Sequence, residues 1–405
     1  MEIDLDALAA NLDAIRAAVG AGVRVEPVVK ADAYGHGAIP VARSLEAAGA
    51  DGFSVATFDE AVALRLAGIR RPILVLYPVP AEHAGEAARR GIALTVGDAQ
   101  LLQRLLRAIA TVPIPRRPLR LQLELETGLG RGGFAAPNAA AAARAILAVP
   151  AARLEGAWSH LAAPGDDQRT AAQSGRFEEA LGLLAGGGVR LPLRHLAASG
   201  GLLSAAPDYE AVRPGLAIYG ILPDGLEPAA ARSTLAGRLR AVMALYARPV
   251  RVLDLPAGWG VSYGPSYVTS RPSRIATLPL GYGDGWARSL SNRASALVRG
   301  VRVPLVGTVA MDAVMADVTG VPGAPVTVDD EFTLLGGGAG ERIDAAELAR
   351  SRATISWEVV TAMSRRLPRV YHAAAGPLDI ETLVHRADRL ARTATPPQSP
   401  REEAP

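Results

Sequence analysis

Cysteine is absent from the 405 residues of this chain, which excludes disulfide bonds and thiolate metal ligands. Aromatic residues make up only 4% of the chain, and no basic run is interleaved with them, so a nucleic-acid partner is not indicated. No uncharged run approaches the length of about 20 residues that a membrane-spanning helix needs. The first residues, MEID, lack the basic segment of a signal peptide. We therefore expect a cytoplasmic protein with no membrane or nucleic-acid partner and no metal.

The composition is otherwise that of an ordinary globular protein. Apolar residues account for 49% and charged residues for 20% of the chain, and the formal net charge is only +3. A length of 405 residues is typical of two domains.

Lysine is almost absent, because Lys30 is the single lysine among 43 basic residues. It follows the apolar run 25–29, where arginine would serve a structural purpose equally well. Arginine cannot lose its proton and attack a carbonyl, whereas a desolvated lysine can. We interpret Lys30 as a chemical nucleophile. The alternative is an exposed lysine without a function, which is present only by chance.

Apolar runs of strand length alternate with segments rich in Ala, Leu, Glu and Arg over the first half of the chain. The runs are 25–29, 52–56, 73–77, 92–96, 119–125, 154–159, 193–197 and 216–219, and the helical segments are 6–19, 38–48, 58–67, 82–90, 99–110, 139–147 and 169–184. This pattern predicts an α/β fold, a parallel (β/α)8 barrel. An open doubly wound sheet is the alternative, but it would need a Gly-rich turn where Lys30 stands.

From about residue 222 the composition changes, since Pro, Gly and β-branched residues become more frequent. Short strands are predicted at 239–253, 274–278, 296–298, 303–309, 313–318 and 333–335, with a helix at 354–363. We predict a barrel domain over 1–230, whose first few residues can join the second domain. A mostly antiparallel β domain follows over 231–375. Residues 376–405 form an extension that we expect to be largely disordered, with one helix possible at 379–392.

Polar residues follow several predicted barrel strands at their carboxyl ends, which is where barrel enzymes carry their active sites. Lys30, Arg131, His160 and Ser199 follow predicted strands, and Arg213 lies at the eighth. Taken singly, each has a structural reading: His160 as a buried imidazole, Ser199 as a helix cap, Arg213 as a surface residue. Their position at one rim favours a common site, and glycines beside Ser199 and at Gly215 suit phosphate binding.

The motif VVKADAYGHG at 28–37 closely resembles the pyridoxal-phosphate lysine motif of the alanine racemase family. The motifs VSYG at 261–264, GYGDGW at 281–286 and MD at 311–312 extend the resemblance to about residue 371. The resemblance implies a homodimeric pyridoxal-phosphate enzyme that interconverts L- and D-alanine, supplying D-alanine for the cell wall. In that family the lysine holds the cofactor as a Schiff base at the first barrel strand.

The resemblance also implies roles for the matching residues of the barrel. Tyr34, Ser199 and the backbone at Gly215 and Leu216 match the phosphate-binding positions. Arg213 matches the arginine that hydrogen-bonds the pyridine nitrogen and keeps the ring a weak electron sink. His160 matches the histidine that links this arginine to a catalytic tyrosine. Arg131 matches the residue facing the phenolic oxygen of the cofactor and the substrate carboxylate.

The second domain supplies the remaining positions. Racemisation needs a proton carrier on each face of a planar intermediate, and one lysine cannot reach both faces. Tyr263 matches the family's second base, which acts across the dimer interface. Tyr282 matches a residue at the entrance, and Met311, followed by Asp312, matches a backbone donor to the substrate carboxylate. Without the motif, Tyr263 would be taken for an ordinary core or interface aromatic.

Two positions depart from the family pattern. Glu124 stands where many members have a lysine that becomes carbamylated and pairs with the arginine at position 131. We expect Glu124 to orient Arg131 directly, without carbon dioxide. Trp357 replaces a tyrosine whose hydroxyl reaches the phosphate, and its indole offers only an N–H. We therefore expect a weaker hold on the cofactor.

Four rival functions follow from these observations. The first is a racemase of broader specificity or one specific for serine. The second is a non-catalytic cofactor-carrying barrel protein, which the β domain argues against. The third is a weakly active family member, consistent with Glu124 and Trp357. The fourth, a decarboxylase of related fold, is disfavoured because it would carry a cysteine motif.

Overall fold

The protein, represented by a computed structural model, is described over residues 1–112, 117–337 and 340–385. It divides into two compact units. The barrel unit comprises Leu5–Val242 and Ala353–Thr361, and the β unit comprises Met1–Asp4, Met243–Arg352 and the chain from Ala362 onward. The boundary between them thus lies at Val242, beyond the boundary near residue 230 that the composition suggests.

The barrel unit is built on parallel strands, and most residues of these strands are apolar and buried. After strand β1 (Glu2–Asp4) of the β unit, the described residues give eight of them: β2 (Arg24–Val25), β3 (Phe53–Val55), β4 (Ile73–Val75), β5 (Ile92–Val96), β6 (Leu119–Glu124), β7 (Ala152–Trp158), β8 (Leu193–His195) and β9 (Ala211–Val212). Near-continuous apolar runs are expected of strands covered on both faces.

Strands β3 to β8 form one parallel sheet in chain order, and β2 pairs in parallel with β9. Single bridges join the two sets, from Val28 to Ser54 on one side and from Ala198 to Arg213 on the other. All eight strands are therefore linked in a ring, and the predicted barrel is confirmed.

The eighth strand was wrongly predicted. The apolar run 216–219 forms a turn of 3₁₀ helix, and the strand lies earlier, at β9. Leu216 and Tyr219 are fully buried, and the Tyr219 hydroxyl donates to the Val28 carbonyl at 2.9 Å. A short buried apolar run does not distinguish a strand from a helical turn, which explains the error.

Helices connect the strands and pack apolar faces onto the barrel. They are α1 (Leu5–Val19), α2 (Lys30–Tyr34), α3 (Ala38–Ala47), α4 (Phe58–Leu66), α5 (Ala84–Arg90), α6 (Ala99–Ala110), α7 (Ala136–Leu147), α8 (Asp167–Gly186), α9 (Ser199–Leu203) and α10 (Ser233–Arg238). In α6 the buried residues Leu102, Leu105 and Ile109 share one face, and Asp98 caps the first turn by accepting from the Leu101 N–H at 2.8 Å.

The β unit is a mostly antiparallel sheet. Its remaining elements are β10 (Met243–Ala247), β11 (Arg251–Leu255), β12 (Gly260–Val261), β13 (Tyr267–Val268), β14 (Ser273–Leu278), β15 (Ser295–Val298), β16 (Val301–Val306), β17 (Val314–Asp317), β18 (Phe332–Gly337), β19 (Arg342–Ile343), α11 (Ala345–Arg352), β20 (Arg369–Ala373) and β21 (Gly376–Glu381). Strand β1 pairs in parallel with β20 and antiparallel with β10. Helix α12 (Ser356–Thr361) returns to the barrel unit.

The expectation for residues 376–405 needs correction. Residues 376–381 form β21, which pairs antiparallel with β20, so the helix predicted from residue 379 is wrong at its start. Gly376 turns the chain with a φ of 108°, and the alternating residues that follow suit a strand edge. The rest of the predicted tail, from residue 386, lies outside the described residues. Nowhere in the described part of the chain is a helix both long and apolar enough to cross a membrane.

Candidate functional site

A cavity of about 500 Å³ opens at the carboxyl end of the barrel strands. Its lining brings together the residues that the sequence predicts in the barrel unit: Lys30, Tyr34, Arg131, His160, Ser199, Arg213, Gly215, Leu216 and Trp357. This rim is where (β/α)8 barrels carry their active sites. Among the described residues, no group of three His, Cys, Asp or Glu side chains is placed to hold a metal ion.

Lys30 lies just beyond β2 and lines the cavity. Burial lowers the pKa of its ammonium below the ordinary value, Arg131 lowers it further, and Glu60 opposes both effects. A buried amine next to an arginine loses its proton more readily than an exposed one. Lys30 is therefore suited to act as a nucleophile or base.

The residues after Lys30 form an unusual left-handed turn. Ala31, Asp32, Ala33 and Tyr34 all have φ between 51° and 55°. This conformation costs roughly 1–2 kcal/mol for each residue other than glycine. A strained backbone of this kind persists only where surrounding contacts hold it in place. Such conformations cluster at functional sites.

Two carboxylates hold this turn in place. Glu60 accepts from the Ala31 N–H at 2.6 Å, and its other oxygen accepts from the Ala56 and Thr57 N–H groups at 2.8 and 3.0 Å. Asp32 accepts from the Ala38 N–H at 2.9 Å. Glu60 thus ties the start of α4 to the residue after Lys30.

The turn brings Tyr34 against the residues of the predicted phosphate cradle. Tyr34 is buried, and burial raises its pKa to about 12, so it remains a hydroxyl donor. Ser199 Oγ accepts from the N–H groups of Gly215 at 2.9 Å and Ala217 at 3.1 Å, which leaves the Ser199 hydroxyl hydrogen to donate elsewhere. The Gly215 N–H therefore already has an acceptor within the protein, which the sequence did not indicate.

Arg213 is a buried cation that lines the cavity. Its two Nη atoms donate to His195 Nδ1 and to the carbonyls of His195, Ser159 and Leu196. Its guanidinium also lies over the Trp158 ring, 5.0 Å from the centroid. Within the described residues its Nε–H has no protein acceptor, so this donor is available to a ligand. Burial lowers the Arg213 pKa to about 10, and the group remains charged at neutral pH.

His160 lines the same cavity as Arg213. Burial, followed by the charges of Arg213, Arg131 and Lys30, lowers its pKa to about 3, so the imidazole is neutral. Among the described residues, the imidazole hydrogen-bonded to Arg213 is that of His195. The predicted link between His160 and Arg213 stays a prediction.

Arg131 is oriented by Glu124. Its Nη2 lies 3.3 Å from Glu124 Oε1, and its guanidinium stands 5.5 Å from the centroid of the Tyr77 ring. Glu124 is buried, which raises its pKa, while the bond and charge of Arg131 lower it. The loop that carries Arg131 closes where Phe134 N–H donates to the Glu124 carbonyl at 2.8 Å. Glu124 therefore holds Arg131 with a carboxylate that belongs to the chain itself.

Trp357 is the second residue of α12 and lines the cavity. The preceding residue, Ser356, donates both its N–H and its hydroxyl to Asp224, each at 2.6 Å. Asp224 therefore fixes the start of the helix that carries Trp357.

The remaining predicted residues belong to the β unit. Tyr263 is 76% exposed and Met311 is 52% exposed. The Tyr282 N–H donates to the Ala310 carbonyl at 3.0 Å, which ties the loop of Tyr282 to the loop of Met311.

A charge network reinforces the loops of Tyr282 and Met311. Arg366 contacts Asp312 at 2.6 Å and Asp284 at 3.1 Å. Asp284 in turn accepts from the Gly281 N–H at 3.0 Å. Asp312 therefore supports the loops that present Tyr282 and Met311.

Several site residues escaped the sequence reasoning. They are Glu60, Gln122, His195, Asp224 and Arg366. Glu60 could have been found, because Thr57 and Glu60 have the spacing of a capping box. The others act through partners far away in the chain, which no local pattern reveals.

Comparison with known proteins relates both units to one family. Residues 3–223 match the model of the alanine racemase N-terminal domain, and residues 242–371 match that of the C-terminal domain. The chain is 40% identical to an alanine racemase of Syntrophobacter fumaroxidans over 384 residues, which cover 92% of this chain and 97% of that protein. It is also 40% identical to an alanine racemase of Thermobifida fusca over 380 residues, with coverage of 92% and 97%.

Solved structures agree with the sequence comparisons. The alanine racemase of Bacillus anthracis with bound L-Ala-P superposes with a TM-score of 0.85 at 31% identity, covering 95% of this chain and 97% of that chain. The alanine racemase of Streptomyces coelicolor superposes with a TM-score of 0.81 at 36% identity, covering 91% and 97%.

Proposed function

We propose, since this chain belongs to the alanine racemase family, that it interconverts L- and D-alanine with pyridoxal phosphate as its cofactor. The observation that carries this proposal is the position of Lys30. The only primary amine on any side chain of the protein lines the barrel cavity beside Arg213, Tyr34 and Ser199.

The residues of the cavity fit this cofactor. The Nε–H of Arg213 has no protein acceptor among the described residues and suits the pyridine nitrogen. The hydroxyls of Tyr34 and Ser199 and the backbone N–H of Leu216 suit the phosphate, whereas the Gly215 N–H already donates to Ser199. Ser199 also begins α9, whose first N–H groups have no acceptor inside the helix. Trp357 lines the same cavity but can offer only an indole N–H.

When bound, pyridoxal phosphate withdraws electrons from the α-carbon of an amino acid and so acidifies its α-hydrogen. Lys30 would hold the cofactor through Nζ and, once released by the substrate amine, exchange a proton on one face. Its lowered pKa favours the neutral amine that this step needs. Because one lysine reaches one face only, a second proton carrier is required, and we assign that role to Tyr263.

The exposure of Tyr263 supports a dimer with shared sites. A phenol that is 76% exposed on its own chain is free to enter the site of a partner. We therefore propose a homodimer in which Tyr263 acts on the cofactor of the other subunit. Tyr282 would line the entrance of that site.

Binding of the substrate carboxylate is assigned to Arg131 and to the backbone N–H of Met311. Arg131 would also face the phenolic oxygen of the cofactor, and Glu124 holds it in position. Asp312 supports Met311 through Arg366. His160, as a neutral imidazole, would link Arg213 to Tyr263.

The proposal is tested by following solvent deuterium into the α-position of both alanine enantiomers. The native protein should exchange both, and Tyr263→Phe should lose exchange from one enantiomer much more than from the other. Borohydride should fix the cofactor on Lys30. A protein that binds no pyridoxal phosphate, or exchanges neither enantiomer, contradicts the proposal. Chiral chromatography with serine and other amino acids decides how narrow the substrate choice is.

A further inference from the structure

Three buried side chains form a polar chain across the interior of the barrel. They are Gln122 of β6, His195 of β8 and Arg213, which follows β9, and they are 3%, 0% and 2% exposed. Gln122 Oε1 lies 2.7 Å from His195 Nε2, and His195 Nδ1 contacts Arg213 Nη1. Gln122 also lines a small cavity of about 150 Å³ with Arg24, Glu26 and Arg120, away from the residues of the proposed active site.

Hydrogen-bond chemistry permits one arrangement of protons in this chain. A guanidinium only donates, so His195 Nδ1 must carry a lone pair. The neutral ring then bears its hydrogen on Nε2, which needs an acceptor, and Gln122 supplies its amide oxygen. If the amide were reversed, an N–H of Gln122 would face the Nε2–H of His195. If His195 were protonated, its Nδ1–H would face the N–H of Arg213.

We infer that Gln122 is a positioning residue, which acts together with Arg213 to fix the tautomer of His195 and thereby secures the side-chain acceptor that holds Arg213. Arg213 has no other side-chain acceptor among its hydrogen bonds, because the rest go to the carbonyls of Ser159, His195 and Leu196. The correct tautomer keeps Nε–H of Arg213 directed toward the cavity. This last step rests on the proposed function, in which Nε–H binds the pyridine nitrogen.

The electrostatics of the site agree with this arrangement. Burial, followed by the charge of Arg213, lowers the pKa of His195 well below its ordinary value, so the ring stays neutral. Arg213 itself is stabilised at longer range by the negative charges of Glu26 and Glu124. Gln122 and His195 are both neutral. They therefore orient Arg213 through hydrogen bonds and do not change the net charge of the site.

The first test is the tautomer of His195 in the full-length native protein without cofactor. Histidine-selective ¹⁵N labelling suits a chain with six histidines, and His195 can be assigned from a His195→Gln variant. We expect a neutral ring with its hydrogen on Nε2 throughout the pH range in which the protein is folded. A hydrogen on Nδ1, or an imidazolium, overturns the inference.

The second test compares Gln122→Met with Gln122→Glu. Both match glutamine in size, but only glutamate retains an acceptor for Nε2–H. Gln122→Glu should keep the tautomer and a kcat within about threefold of native. Gln122→Met should lose the single tautomer and lower kcat by about tenfold, the effect of one buried hydrogen bond, with little change in KM.

The outcomes separate this inference from the proposed function. If Gln122→Met only lowers the thermal stability and retains both tautomer and kcat, Gln122 is a structural residue and the inference fails. If neither the native protein nor a variant racemises alanine while the tautomers behave as expected, the proposed function fails and the role of Gln122 toward His195 stands. If Gln122→Met does not fold, the tautomer of the native protein and the behaviour of Gln122→Glu still decide.

Discussion

The phenol oxygen of Tyr34 lies where a side chain on Gly215 would begin. A Cβ built on Gly215 stands only 2.6 Å from Tyr34 Oη. Steric contact with Tyr34 therefore disfavours any side chain at position 215. The absence of a side chain there allows the strained turn of residues 31–34 to approach the loop that follows β9.

Gly215→Ala should accordingly weaken cofactor binding. The new methyl group must displace the Tyr34 hydroxyl from the proposed phosphate cradle, at a cost of about 1–3 kcal/mol. The dissociation constant of pyridoxal phosphate, followed by absorbance, should rise by about five- to a hundredfold. Gly175→Ala in α8 is the matched control, because its Cβ meets no atom within 4 Å. Equal affinities for the two variants would contradict this reading of Gly215.

The protonation of Lys30 can be read directly, because the chain has one lysine and [¹³Cε]-lysine labelling gives one side-chain signal. Its pKa in the cofactor-free protein should lie below the ordinary value of 10.5. Arg131→Met should raise this pKa, since a positive neighbour is lost, and Glu60→Gln should lower it, since a negative neighbour is lost.

The same shift predicts how stability depends on pH. The folded protein binds the Lys30 proton less tightly than the unfolded chain, so the contribution of Lys30 to stability rises with pH between the two pKa values. Chemical denaturation of the native protein and of Lys30→Met across this range measures the difference. If neither Arg131→Met nor Glu60→Gln shifted the pKa of Lys30, burial alone would set it, and the assigned charge effects would be wrong.

Glu124 should make activity independent of carbon dioxide. Its carboxylate already lies 3.3 Å from Arg131, so no modified lysine is needed. Racemase activity should be unchanged when bicarbonate is removed, and Glu124→Lys should become dependent on it. Activity of the native protein that falls without bicarbonate and returns with it would refute the assignment.

Local patterns predicted the regular elements of the barrel better than the site. Helix α6 and strand β5 follow from an N-cap and from continuous apolar residues, and both have the predicted bounds. The turn at Ala31–Tyr34 was not predicted, because neither alanine nor tyrosine favours a left-handed conformation. It exists because Glu60, nearly thirty residues away, accepts from Ala31.

The polar contacts around Arg213 could not be predicted from local patterns either. His195 contacts Gln122 across 73 positions of the sequence, and the sequence pattern of each strand shows only a polar residue among apolar ones. The family motif identified the residues assigned to the cofactor and substrate. It did not identify His195, which contacts Arg213, or Gln122, which contacts His195.

Trp357→Tyr should strengthen the hold on the cofactor. A hydroxyl at this position of α12 can donate to a phosphate, and one charge-assisted hydrogen bond contributes about 1.5–3 kcal/mol. The dissociation constant of pyridoxal phosphate should fall by about tenfold or more. Trp357→Phe separates this effect from that of ring size, because it offers no donor. If Trp357→Phe also binds pyridoxal phosphate more tightly, the gain in affinity comes from the smaller ring and not from a hydrogen bond.

The strain of the left-handed turn predicts opposite effects for two alanine-to-glycine substitutions. Ala31 has φ of 51° and ψ of 51°, a conformation that glycine adopts without its Cβ penalty. Ala31→Gly should therefore raise the free energy of unfolding by up to about 1 kcal/mol, after the greater entropy of the unfolded glycine is subtracted. Ala141→Gly, in the right-handed helix α7, should lower it by about 1 kcal/mol. The stabilised variant should nevertheless lose activity, because a glycine beside Lys30 no longer restricts the backbone that positions the amine. Urea denaturation and racemase assays of both variants measure these effects, and a loss of stability in Ala31→Gly equal to that of Ala141→Gly would show that the turn at residue 31 is unstrained.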